Sequence, residues 1–156
     1  MSRTIPVNGK FSERQKQCYN AVLRTMKDVA KLYVPGNTIN DINEAAYRLM
    51  EQEMIGLGLF TADDVKQQDP NHPIVRKYLM HGVVHHVGLD THDNLDKFIP
   101  FAPGMILTLE PGIYIPEEGI GIRIENDLLV TDGEPVNLFE GLPVEVEEIE
   151  AAMRKF

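Results

Sequence analysis

The chain has no tryptophan, a single cysteine, and no uninterrupted apolar run near the ~18 residues that a membrane-spanning helix needs. Cys18 has no second cysteine to pair with, so no internal disulfide can form, and a reducing cytoplasm is the expected location. Basic residues are scarce. Fifteen Lys and Arg face 24 Asp and Glu, and the formal charge of -9 argues against a phosphate-binding surface, so nucleic acid is not an expected partner. The opening MSRTIPVNGKF lacks the apolar core of a secretion signal, and neither it nor any later segment predicts a membrane partner. What remains is ordinary. The length of 156 residues, 43% apolar and 25% charged, describes one soluble domain with enough chain for a real core.

The first half reads as helices. Asn8-Gly9 is a turn signal, which makes residues 3–7 the end of a strand. Ser12 is placed as an N-cap. Tyr19, Val22, Leu23, Met26, Val29, Ala30 and Tyr33 then follow helical spacing until Val34-Pro35-Gly36. Thr38 with Asp41 three residues on predicts a capping box and a second helix to about Ile55, with Ile42, Ala45, Ala46, Leu49 and Met50 as its buried stripe. A short helix is expected over 62–68. After residue 78 the composition turns β-branched, in MILTLEPGIYI and GIGIRIENDLLV, with Pro-Gly and Glu-Gly breaks. The end, VEVEEIEAAMRKF, reads as a short amphipathic helix. Helices followed by a mainly antiparallel sheet predict an α+β fold.

Four of the five histidines lie within HGVVHHVGLDTHD, residues 81–93. Histidine is the commonest metal ligand and the side chain that titrates nearest neutrality. If the segment is a strand, His81 and His85 face one way and His86 the other. His72 sits in a proline-rich loop and reads as surface. In IGIRIEND, Ile120, Ile122 and Ile124 share one face, and Gly121, Arg123 and Glu125 the other. Glu110 ends the apolar run before Pro111-Gly112. Taken alone, each glutamate reads more simply as a solvated edge residue or a partner of Arg123. Taken together, His85, Glu110 and Glu125, with His81, His92 and Arg123 nearby, form a carboxylate-rich set suited to a hard or borderline ion such as manganese, cobalt or zinc.

In this order, HGVVHHVGLDTHD, PGMILTLEPGIYI and GIGIRIENDLLVT resemble the catalytic half of the Xaa-Pro peptidases, the aminopeptidase P and prolidase group within the methionine aminopeptidase-like "pita-bread" metallopeptidases. The opening SRTIPVNGKFSERQKQCYN is similar to the segment that follows the family's metal-binding aspartates. The resemblance implies a curved antiparallel sheet covered by helices. It also implies two divalent ions, usually manganese or cobalt and sometimes zinc, held by two aspartates, one histidine and two glutamates. His85 matches the histidine ligand, Glu110 and Glu125 the glutamates, and Glu110 in addition the general base toward water. His81 and His92 match pocket histidines that contact substrate and move protons. Arg123 matches an arginine that positions substrate or a neighbouring side chain. The implied reaction is hydrolysis of the bond between an N-terminal residue and a following proline. Proline-containing peptides are then the partners, and the assembly is a homo-oligomer.

The match has gaps. No residue corresponds to the two aspartates, and Asp28, Asp41, Asp63 and Asp64 stand on predicted helices or caps that no motif connects to those roles. Residues 1–156 are therefore expected to be the C-terminal part of one catalytic domain, whose N-terminal domain and first part are absent. Such a chain is expected to hold metal weakly or not at all, to be inactive by itself, and to leave a sheet edge unpaired, open to dimerisation. Asn94-Leu95 stands where the family has Val-Gly, which makes substrate preference less defined than reaction class. Two alternatives stay open: a non-catalytic peptide- or protein-binding pita-bread module, and a creatine amidinohydrolase on the same fold.

Overall fold

A computed structural model describes residues 1–93 and 96–154; Asn94-Leu95, where the sequence departs from the family pattern, lies outside the described residues. Helix α1 spans Glu13–Ala30, α2 Ile39–Gly56, α3 Ala62–Gln67 and α4 Val146–Met153. Each of the first three begins at a predicted type of boundary. Ser12, Thr38 and Thr61 accept the amides of Gln15, Asp41 and Asp64, and those three side chains return a bond to the cap amides. Helix α1 stops three residues short of the expected Tyr33. Lys31 and Leu32 tighten into a turn ahead of Pro35, and a residue before proline is pushed off helical geometry.

The strands are β1 (Ile106–Leu109), β2 (Gly112–Ile115), β3 (Ile120–Arg123), β4 (Asn126–Leu129) and β5 (Val136–Asn137). All pairings are antiparallel: β1 with β4, β4 with β5, and β2 with β3. A turn over Pro116–Glu118, closed by Gly119 in the left-handed region at φ 62°, joins β2 to β3. Ile115 lies opposite Ile120, Gly112 opposite Arg123, Leu109 opposite Asn126 and Ile106 opposite Leu129. This is one register throughout. The two sheets are thus a single long ribbon broken at Glu110-Pro111 and Ile124-Glu125. Pro111 has no N–H to give to the ladder, and the bond that survives there is Ile124 N–H to the Pro111 carbonyl at 3.3 Å.

One face of the ribbon joins the helices in the core. Leu107, Leu109, Ile113, Ile115, Ile122 and Ile124 are at most 2% exposed. They meet Tyr19, Val22 and Val29 of α1, Met50 and Met54 of α2, and Ile149 of α4. Each such burial contributes roughly 1.5–3 kcal/mol against the cost of ordering the chain.

Two expectations need correction. Residues 3–7 are not a strand. Ser2 makes one antiparallel bridge to Glu125, and then Thr4 engages Arg123 through its hydroxyl, accepting the amide at 3.0 Å and donating to the carbonyl at 3.1 Å. Pro6 ends any further ladder. The sheet beside Glu125 is thus met by Ser2 and Thr4 of the same chain. Finally, the histidine segment is not a regular strand: His86 makes an isolated bridge to Leu107, and no named strand runs through residues 81–88.

Candidate metal centre

Extending the ribbon register through its break sets Glu110 opposite Glu125. Side chains alternate along a strand, so Glu110, Gly112 and Tyr114 share the face of Gly121, Arg123 and Glu125. Gly112 faces Arg123 and Gly121 faces Tyr114. The two glycines leave room for the long side chains across from them. Two glutamates fifteen positions apart therefore converge because they are equidistant from one turn.

The histidine segment supplies the third wall. His85 lies beside Thr108 on β1, whose amide donates to the His85 carbonyl at 3.0 Å. One ligand atom each from His85, Glu110 and Glu125 falls within 4.8 Å of the others. His85 Nε2 is 3.4 Å from Glu110 Oε1. Its Nδ1 is 2.9 Å from the His86 carbonyl. A carbonyl only accepts, so Nδ1 carries a proton, and Nε2 is the ring nitrogen turned to the glutamates. The Glu110 and Glu125 side chains are only 13% and 17% exposed. Arg123 Nε reaches Glu110 Oε2 at 3.9 Å, at the edge of an ion pair, with its own side chain half in solvent. The Ser2 hydroxyl donates to Glu125 Oε2 at 2.9 Å. Two largely buried carboxylates facing each other repel, and with the Nε2 of His85 beside them they present three ligand atoms within 4.8 Å, a set that a cation can hold together. The donor set of one nitrogen and carboxylate oxygens fits a divalent ion of the manganese, cobalt or zinc kind.

The remaining candidates border this cluster. His81, Gly82, Val84, His85, His92, Glu110 and Arg123 line one pocket of about 360 Å³. The His92 ring stands edge-on to His85, with centroids 4.5 Å apart at 73°. His81 Nδ1 is 2.8 Å from the Gly82 carbonyl, which fixes the proton there. His81 Nε2 then accepts the Tyr114 hydroxyl at 2.7 Å. Burial raises the Tyr114 pKa, opposed by the Arg123 guanidinium, so the phenol stays protonated at neutral pH. All six candidate residues are thus brought to one place. His86 faces away, and burial holds its pKa below the usual histidine value. His72 is exposed beside Asp69. Tyr114 was missed by the sequence reasoning, although its place two residues after Gly112 on the Glu110 face was available from the period of the strand.

The family model described as metallopeptidase family M24 matches residues 1–132. The Xaa-Pro aminopeptidase of Haemophilus influenzae is 39% identical over 168 residues, covering 98% of this chain and 38% of its own. Human Xaa-Pro aminopeptidase 3 is 37% identical over 161 residues, covering 96% and 31%. The solved structure of zinc-substituted Escherichia coli aminopeptidase P in complex with product superposes with a TM-score of 0.86 at 38% identity, over 98% of this chain and 37% of that one. The chain spans 31–38% of the length of these relatives.

Proposed function

The chain belongs to metallopeptidase family M24, with the α+β pita-bread fold of the aminopeptidase P structures, and from this we propose that the whole protein hydrolyses the bond between an N-terminal residue and a following proline. The observation that carries the proposal is the convergence of His85, Glu110 and Glu125 within 4.8 Å. On this reading His85 Nε2 and the two carboxylates hold divalent metal, with manganese as the first ion to test and cobalt and zinc after it. When bound, such ions supply an activated water and polarise the scissile carbonyl.

The chain's own residues do the rest. Glu110 accepts a proton from water at a carboxylate oxygen that it also turns toward the ligand cluster. Arg123, 3.9 Å from Glu110, holds that carboxylate and faces the pocket. His81 Nε2, paired with the Tyr114 hydroxyl, is placed to hold or hand over a proton at the pocket wall. His92 lines the same pocket, its ring edge-on to His85. Proline nitrogen has no N–H, so a site that relied on that donor would lose a bond there, whereas a cluster acting on the carbonyl does not. Proline-containing peptides are the proposed substrates, and a homo-oligomer the proposed assembly.

The test is release of the N-terminal residue from an Xaa-Pro peptide by the full-length protein with manganese, cobalt or zinc. Turnover that falls by ~100-fold or more in Glu110→Gln supports the reading. Peptide binding without turnover under any of the three metals would replace it with a non-catalytic peptide-binding module. The 156-residue chain alone supplies three ligands and is expected to bind manganese weakly, with no turnover.

A further inference from the structure

The amides of the histidine segment do not all return to β1. Thr108 N–H donates to the His85 carbonyl at 3.0 Å and Glu110 N–H to the Val83 carbonyl at 2.8 Å, as an antiparallel ladder requires. The reverse donors find side chains. His85 N–H donates to Thr108 Oγ1 at 3.0 Å. Val83 N–H donates to Asn43 Oδ1 on α2 at 2.7 Å. The Thr108 carbonyl accepts the buried Tyr33 hydroxyl at 2.6 Å.

These partners are placed with some cost. Thr108 is 2% exposed within the apolar run Ile106–Leu109, where valine would pack without a polar atom to satisfy. Asn43 lies half-buried between the α2 core residue Ile42 and the chain at Gly82, where an added Cβ would sit 3.3 Å from Asn43 Oδ1. The geometry matters to the pocket. His81 and His85 flank Val83, whose amide Asn43 holds. Both line one cavity of about 360 Å³.

We propose that Thr108 and Asn43 are positioning residues for the pocket histidines: by accepting the amides of His85 and Val83 they turn the segment off the regular ladder and fix the path on which His81 and His85 reach the pocket. The functional consequence rests on the metal-centre reading above, while the positioning itself does not. Neither residue touches the proposed metal or substrate; each acts through the backbone of the segment.

The experiment uses the full-length protein and its Thr108→Val, Thr108→Ser and Asn43→Ala variants. Manganese affinity is measured by calorimetry, and amide hydrogen exchange at Val83 and His85 is measured without metal. Thr108→Val is expected to weaken manganese binding by ~10-fold or more, the scale of a lost supporting bond behind a ligand, with Thr108→Ser close to the parent. His85 exchange accelerates in the valine variant alone, and Val83 exchange in Asn43→Ala, each without a matching rise across the core. Parent-like affinity and exchange in Thr108→Val would overturn the proposal, as would failure of serine to restore them. If the parent takes up no manganese, the metal-centre reading fails, and the two amide exchange rates decide the positioning claim. If Thr108→Val does not fold, Asn43→Ala decides by the same readouts, since alanine suits a helix interior.

Discussion

The behaviour of Glu125 is set at the residue scale by its neighbours. It faces Glu110 across the ribbon, and like charges directly opposite each other destabilise a sheet. The Ser2 hydroxyl, donating at 2.9 Å, offsets part of this. The expected effect of Glu125→Gln therefore has opposite signs in two measurements. Without metal, the melting temperature stays level or rises. With manganese added, the rise seen in the parent is lost. A parent that gains no stability from manganese, or a Gln variant that gains as much, would count against Glu125 as a ligand.

The unit that matters at the element scale is the ribbon from Ile106 to Leu129. Its face is polar where Glu110, Tyr114, Arg123 and Glu125 stand, and its back is apolar where Ile113, Ile115 and Ile122 meet the helices. Gly112 is the point of closest approach. A Cβ there would lie 2.9 Å from the Tyr114 hydroxyl and 3.0 Å from the Ile122 carbonyl, and the second contact is backbone that cannot swing away. Gly112→Ala is expected to push β3 from β2 and to move Tyr114 off His81, lowering stability by about 1–3 kcal/mol through overpacking. Denaturant unfolding measures the first effect. Loss of the Tyr114–His81 hydrogen bond, read from the His81 imidazole resonances, measures the second. A variant as stable as the parent would mean that the ribbon yields at this point.

For the whole molecule, Tyr19 ties the first helix to the last. It is fully buried, donates its hydroxyl to the Val144 carbonyl at 3.0 Å, and packs its ring at a tilt against Phe11, with centroids 5.2 Å apart. Burial, partly opposed by Arg3, pushes its pKa from 10.0 up to about 12. Between those values the unfolded chain releases the proton and the folded chain keeps it. The stabilisation is complete below pH 10 and is lost as pH rises toward 12. Tyr19→Phe removes both the bond and the titration. The parent is expected to be more stable by about 1 kcal/mol at neutral pH. That advantage shrinks at alkaline pH, as urea midpoints at pH 8 and pH 11 would show. A constant difference would mean that the phenol is more hydrated than its burial indicates.

Periodicity and caps decide much of this protein locally, and so they were readable. Ser12 and Thr38 announce their helices because a hydroxyl before a helix takes an amide that nothing else can reach. The isoleucines at 120, 122 and 124 declare a face because strands repeat every two residues. The motifs around His85, Glu110 and Glu125, taken in order, carried the resemblance to the family. What only the tertiary structure decided is how those motifs meet. The facing of Glu110 and Glu125 depends on the register across the turn at Pro116–Glu118, which a strand read singly does not contain. The path of the histidine segment depends on Asn43, forty positions from Val83, and on Thr108, twenty-three positions from His85. No local rule reaches that far. A backbone amide takes whatever acceptor the packed fold brings within about 3 Å, and here two side chains from distant elements arrived first.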